Sequence, residues 1–175
     1  MSPNPLKPEF SRPFVADRLG ASAVTETLLA SPVECAALAK RLGLVELVQL
    51  SAVVTLERTL GGLIHVIGRL EADVVQTCVI TLVAFASHVE DSFALDFGDA
   101  GDGLGDEIDV DPDYDPPEPI EGGIIDLGEL IAQYLALALD PHPRAPGATL
   151  EPAWTSADAA DMSPFAILKN LKSPN

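Results

Sequence analysis

A chain of 175 residues with 27 acids against 10 bases, a net charge of −17, is long enough for one domain with a proper core and too short for two comfortable ones. Its 47% apolar content excludes a wholly disordered chain, and its charge repels nucleic-acid phosphates and anionic membranes while attracting basic partners. Two cysteines make no disulfide framework, no apolar run approaches 18 residues, and "MSPNPLKPEFSRPF" lacks the apolar centre of a secretory leader, so the expectation is a reduced, cytoplasmic protein.

In chain order, "PEFSRPFVADRL" alternates weakly and reads as an edge strand or an extended arm, its prolines limiting pairing. "SPVECAALAKRLGL" predicts a helix over about 31–42. Ser31 is the N-cap, Pro32 suits the first position, Glu34 completes a capping box, and Gly43 is the stop. Val33, Ala36, Ala37 and Leu38 are the expected apolar face.

From Leu44 to Phe97 the period changes to two, which predicts an antiparallel sheet of about four to five strands with one dry face. In "LSAVVTLER", Leu50, Ala52, Val54 and Leu56 share a side. "TLGG" is a turn signal, and "LIHVIGRL" resumes as the partner strand. "LEADVVQTCVITL" places Leu70, Ala72, Val74, Cys78, Ile80 and Leu82 together, interrupted by Gln76. "VEDSFALDF" aligns Val89, Phe93, Leu95 and Phe97.

Residues 98–121 then hold 10 acids with glycines and prolines and read as a mobile acidic loop. A second helix is predicted at about 127–139, with Asp126 as N-cap, Glu129 completing a capping box in the wider sense, and a stripe through Leu127, Leu130, Ile131, Tyr134, Leu135 and Leu139. Pro141 stops it. Glu129 and Gln133, one turn apart, are either a functional pair or a capping acid beside a solvated glutamine. The two helices cover the dry face, giving a single α+β domain over residues 1–150. Residues 151–175 form a C-terminal tail with a short apolar helix in "SPFAILKNLK".

Catalytic and metal patterns fail on spacing. A calcium loop begun at Asp109 needs Gly and Glu where Tyr114 and Ile120 stand. His65, His88 and His142 have no metal-ligand spacing, and no C-x-x-C is present. The phase of its strand puts Cys78 on the buried side, where a thiol acts as a small hydrophobe. "GDAGDGLGD" carries the wrong charge for a phosphate loop. No cofactor and no small-molecule substrate are expected, and a divalent-metal-dependent hydrolase built on the loop carboxylates ranks last, because a flexible loop is a poor platform for converging ligands.

Two segments taken in order, "GRLEADVVQTCVITLVAF" and "IDLGELIAQYLALALDPHPRAPG" with the closing "SPFAILKNLK", resemble the YceD-type family of bacterial large ribosomal RNA subunit accumulation proteins. "AALAKRLGL" is similar to the alphaproteobacterial branch. The resemblance spans roughly residues 10–172. It implies a non-enzymatic role in the synthesis, processing or stability of large-subunit (23S) rRNA. The residues matching the family pattern are Cys78, Asp126, Leu127, Gly128, Glu129, Asp140, Arg144, Pro146 and Gly147, with Gln133 beside them on a docking surface. Many relatives carry a C-x-x-C-like pair where this chain has Cys78 and Thr81, so no metal or redox role transfers.

Charge and resemblance together favour a protein that reaches rRNA indirectly, by engaging a basic ribosomal protein or assembly factor through the acidic loop. In relatives the gene often neighbours that of a small basic zinc-ribbon protein of the large subunit. The alternative is direct rRNA binding through a small basic patch of Arg58, Arg69, Arg144, Lys169 and Lys172.

Overall fold

The structure, a computed structural model, describes residues 8–98 and 116–149. It is α+β, as the alternating and helical periods predict. The main sheet runs β2 (Val24–Leu29), β3 (Glu46–Arg58), β4 (Ile64–Thr77) and β5 (Ala84–Phe97), in that order and antiparallel throughout. A two-stranded pair joins β1 (Pro13–Val15) to β6 (Ile124–Asp126). Helix α1 (Pro32–Leu42) links β2 to β3, and α2 (Leu127–Ala138) follows β6 directly.

Alternation sets the dry face. Leu50, Ala52, Val54 and Leu56 of β3 and Ile64, Val66, Leu70, Ala72 and Val74 of β4 are all buried. A bulge between Leu47 and Gln49 inserts one residue, so Leu47 reaches the same face three positions before Leu50. Helix α1 contributes Cys35, Leu38 and Ala39, and α2 contributes Leu127, Ile131 and Leu135. The capping box at Ser31 and Glu34 forms, and Gly43 closes α1 in the left-handed region at φ 67°.

Several expectations change. Only three strands of the main sheet come from residues 44–97; β2, in "VTETLL", is the fourth, and only Leu28 in it is buried. "LIHVIGRL" and the run after it form one continuous strand, which ends at Thr77. Ile80 and Leu82 therefore lie in the β4–β5 turn, with Leu82 77% exposed at φ 57°. On α1, Val33 and Ala36 face solvent, because the helix docks through Cys35, Leu38 and Ala39. The extended arm is confirmed as three-residue β1, which pairs with β6 rather than with the main sheet.

The acidic loop is shorter at its far end than its composition implies. Glu118 bridges to Phe97, donating its N–H to Asp96 O at 2.8 Å and accepting from Gly98 N at 2.9 Å. Residues 99–115, with most of the loop, and the tail helix expected in 163–172 lie outside the described residues. Among the described residues no helix is long and apolar enough to cross a membrane.

Candidate functional site

The first turn of α2 is where the chain's distant parts meet. The Asp126 carboxylate caps the helix, accepting from Gly128 N at 3.0 Å and Glu129 N at 3.3 Å. It also accepts from Ser11 Oγ at 2.6 Å and Arg12 N at 2.7 Å, so one side chain ties the N-terminal arm to the helix. Leu127 N donates back to Arg12 O. Gly128 is the consequence of that closeness: a Cβ there would stand 2.6 Å from Phe10 O and 2.9 Å from Arg12 N. Phe10 itself is 1% exposed and seals the contact.

Two arginines complete the clasp. Arg12 grips Glu34 at the start of α1 with two nitrogens, at 2.7 and 3.0 Å. The bond from Arg12 and the donors of Ser31 hold the Glu34 carboxyl down at about 2. Arg41 grips Glu129 in the same forked way, at 2.6 and 2.8 Å, and also reaches Glu9 at 3.0 Å. Glu129 is thus an inter-helix ligand of Arg41, with its pKa lowered by that bond, and does not complete the expected capping box. Gln133 does sit beside it, donating at 3.4 Å.

A second group of candidate residues gathers at the far end of β4. Cys78, fully buried, closes the β4–β5 turn: its N–H donates to Val83 O, and its sulfur accepts from Thr81 N at 3.4 Å. Donors from the Thr81 side chain and the backbone of Ala145 and Thr81 draw the thiol down to about 6, against the opposing effect of burial. The residue three positions after Cys78 is thus a hydrogen-bonding threonine.

The α2 exit loop wraps this turn. Val79 N donates to Pro143 O at 2.9 Å, and Ala148 N returns to Ala145 O across Pro146 and Gly147. Gly147 has φ 77°, so Pro146–Gly147 has the composition and hand of a type II turn. The Asp140 carboxylate accepts from His142 N at 2.8 Å, and its carbonyl accepts from Gln76, the buried polar residue that interrupts the β4 stripe. Arg144 is exposed and has no hydrogen bond or ion pair among the described residues.

The structure therefore brings the ten candidate residues into two places, not one. Asp126, Leu127, Gly128, Glu129 and Gln133 surround the start of α2; Cys78, Asp140, Arg144, Pro146 and Gly147 surround the β4–β5 turn. The arginines expected in a basic patch are scattered along the β3–β4 hairpin. Arg58 sits opposite Ile64 and donates to Ala16 O, Arg69 lies mid-strand against Glu71 and Glu90, and Arg144 belongs to the loop on the Cys78 turn. From Ile64 to Thr77 the strand rises about 43 Å, at roughly 3.3 Å per residue.

Sequence reading missed a groove of about 450 Å³ between α2, the end of β5 and residues 118–125. Its signal was present in Leu137, an apolar residue off the main stripe of α2. Two of the three histidines form carboxylate pairs on the outer sheet face, His65 with Asp96 and His88 with Asp73, both at 2.7 Å. Among the described residues no group of three or more His, Cys, Asp or Glu could hold a metal ion.

No curated protein and no solved structure matches the chain. One family model does, over residues 66–172, from β4 through both groups of candidate residues to the end of "SPFAILKNLK". That match covers well over half of the chain and carries the description of an accumulation protein, which names no catalytic activity. The chain belongs to the YceD family of large ribosomal RNA subunit accumulation proteins, and its role lies in the accumulation of that RNA.

Proposed function

We propose that this protein supports large-subunit rRNA accumulation without catalysis, by engaging a basic ribosomal protein or assembly factor through its acidic surface. The observation that carries this is the disposition of its few cations. Arg12 is paired with Glu34, Arg41 is held by Glu9 and Glu129, Arg69 faces Glu71 and Glu90, and Arg58 and Arg144 lie at opposite ends of a long hairpin. An RNA grip needs Lys and Arg clustered to neutralise several phosphates, and a net charge of −17 opposes close approach to them. The same charge draws a basic protein.

Affinity purification of the full chain, with and without nuclease, tests the reading. Recovery of basic large-subunit proteins that survives nuclease is the expected result. Their absence, together with normal ribosome assembly in cells whose protein lacks residues 99–121, overturns it. Filter binding to rRNA fragments across a salt series tests the competing reading: a steep negative slope of affinity with salt would mean direct phosphate contact.

A further inference from the structure

We infer that the groove beside α2 is the docking site for a partner segment carrying apolar side chains flanked by Lys or Arg; this rests on the proposal of a basic partner and gives it a place. Helix α2 is apolar on two sides. Leu127, Ile131 and Leu135 are 0–2% exposed and complete the core. Leu130, Tyr134 and Leu137 follow one another at helical spacing along the groove, where Leu137 is 77% exposed and Ile124 on the facing wall is 46% exposed. A helix on the surface of a single domain ordinarily turns a polar side outward. This one turns leucine.

The floor is firm and the rim is charged. The Tyr134 ring stacks on Phe93 of β5, centroids 4.1 Å apart and planes 10° from parallel, so the groove does not depend on loose side chains. Glu118 and Glu121 stand on the rim and have no ion-pair partner among the described residues. Their neighbour Glu129 is already held by Arg41. An apolar floor with free carboxylates above it matches a segment whose leucines enter the groove while its cations meet Glu118 and Glu121. An acidic segment, or RNA, would meet repulsion at the same rim.

The test uses the full chain and fluorescence anisotropy of a labelled peptide of Leu and Lys at helical spacing. Its counterparts carry Glu for Lys or Ser for Leu. The Leu/Lys peptide binds and both counterparts fail. Leu137→Ser, which leaves charge unchanged, weakens binding about tenfold, the effect of losing one good anchor. Glu118→Lys with Glu121→Lys weakens it at least as much, whereas Glu26→Lys with Glu57→Lys, an equal charge change on the main sheet, does not. Circular dichroism checks that each variant is folded.

Equal loss from the two charge pairs would mean attraction to overall charge, and overturns the inference. So does a large gain in peptide binding when the chain is shortened to residue 162, which would mean its own segment 163–172 occupies the groove. If basic large-subunit proteins bind the wild type and the Leu137→Ser variant alike, the groove inference fails and the basic-partner reading stands. If they bind neither while the peptide behaves as expected, the basic-partner reading fails.

Discussion

Gly128→Ala sets helix propensity against packing, and the structure decides the sign. Alanine inside a helix gains up to about 1 kcal/mol over glycine, less in a first turn, where Gly128 sits. Against this, the new Cβ would lie 2.6 Å from Phe10 O and 2.9 Å from Arg12 N, backbone atoms that cannot rotate away. Compressing such a contact costs about 1–3 kcal/mol. Releasing the arm instead exposes Phe10, at about 2–3 kcal/mol, and breaks the bonds of Arg12 N to Asp126 and Leu127 N to Arg12 O, at about 1 kcal/mol or more each. Compression is the cheaper route, and the net loss is about 2 kcal/mol. Thermal melts should then fall by about 5–10 °C for a domain of this size. The cycle closes with a chain lacking residues 1–12, in which the same substitution should become neutral or mildly stabilising. A melting point that rises in the full chain, or an equal loss with and without the arm, refutes the reasoning.

Three further outcomes follow from the same contacts. Glu34, held near 2 rather than its ordinary 4.5, contributes stability that is complete above about pH 4.5 and lost as pH falls toward 2; relative to Glu34→Gln, urea titrations should show the wild type losing about 1–2 kcal/mol across that window, after allowance for solvent screening. A parallel acid profile of the two proteins would contradict the Arg12 bond. The two thiols should titrate separately by ultraviolet absorbance, Cys78 near 6 and Cys35 above its usual 9 because burial opposes its ionisation, with Thr81→Val moving Cys78 upward; a single transition near 9 would remove the donor cluster from the Cys78 turn. Gly68→Ala drives a methyl into the Phe93 ring, which carries the stack with Tyr134, and should cost about 1–3 kcal/mol in melts and alter the near-ultraviolet tyrosine signal; an unchanged signal would mean the ring moves freely.

What was legible in the chain was whatever is settled locally. Ser31 and Glu34 are three residues apart, and their box forms. The alternation of β3 and β4 is readable because one face of the sheet is core and the other meets water. Strand β2 escaped because "VTETLL" sets Thr25, Thr27 and an exposed Leu29 on the outer side and leaves Glu26, opposite Val54, exposed on the inner one, so its burial pattern hardly alternates. The β4–β5 turn escaped because "CVITLV" has no Gly, Pro, Asn or Asp, the residues that announce turns; Thr81 and the Cys78 sulfur supply the bond that holds it. Glu129 looked like a capping acid within its own helix, whereas its partner Arg41 lies 88 residues away. No local pattern carries that information.

The ten candidate residues divide by what they touch. Asp126, Gly128 and Glu129 hold the arm and α1 to α2, while Cys78, Asp140, Pro146 and Gly147 lock the exit loop to the β4–β5 turn. Each of these contacts is internal, so each supports the shape of the domain before any partner arrives. Arg144 differs: it projects from the locked loop into solvent with nothing in the described chain to bind. The backbone beneath it is fixed by the Pro146–Gly147 turn and by the bond from Val79 N to Pro143 O. Glu118, Glu121 and Leu137 face the groove. If the groove proposal holds, loss of binding through Gly128→Ala should come with loss of stability, whereas loss through Leu137→Ser should not.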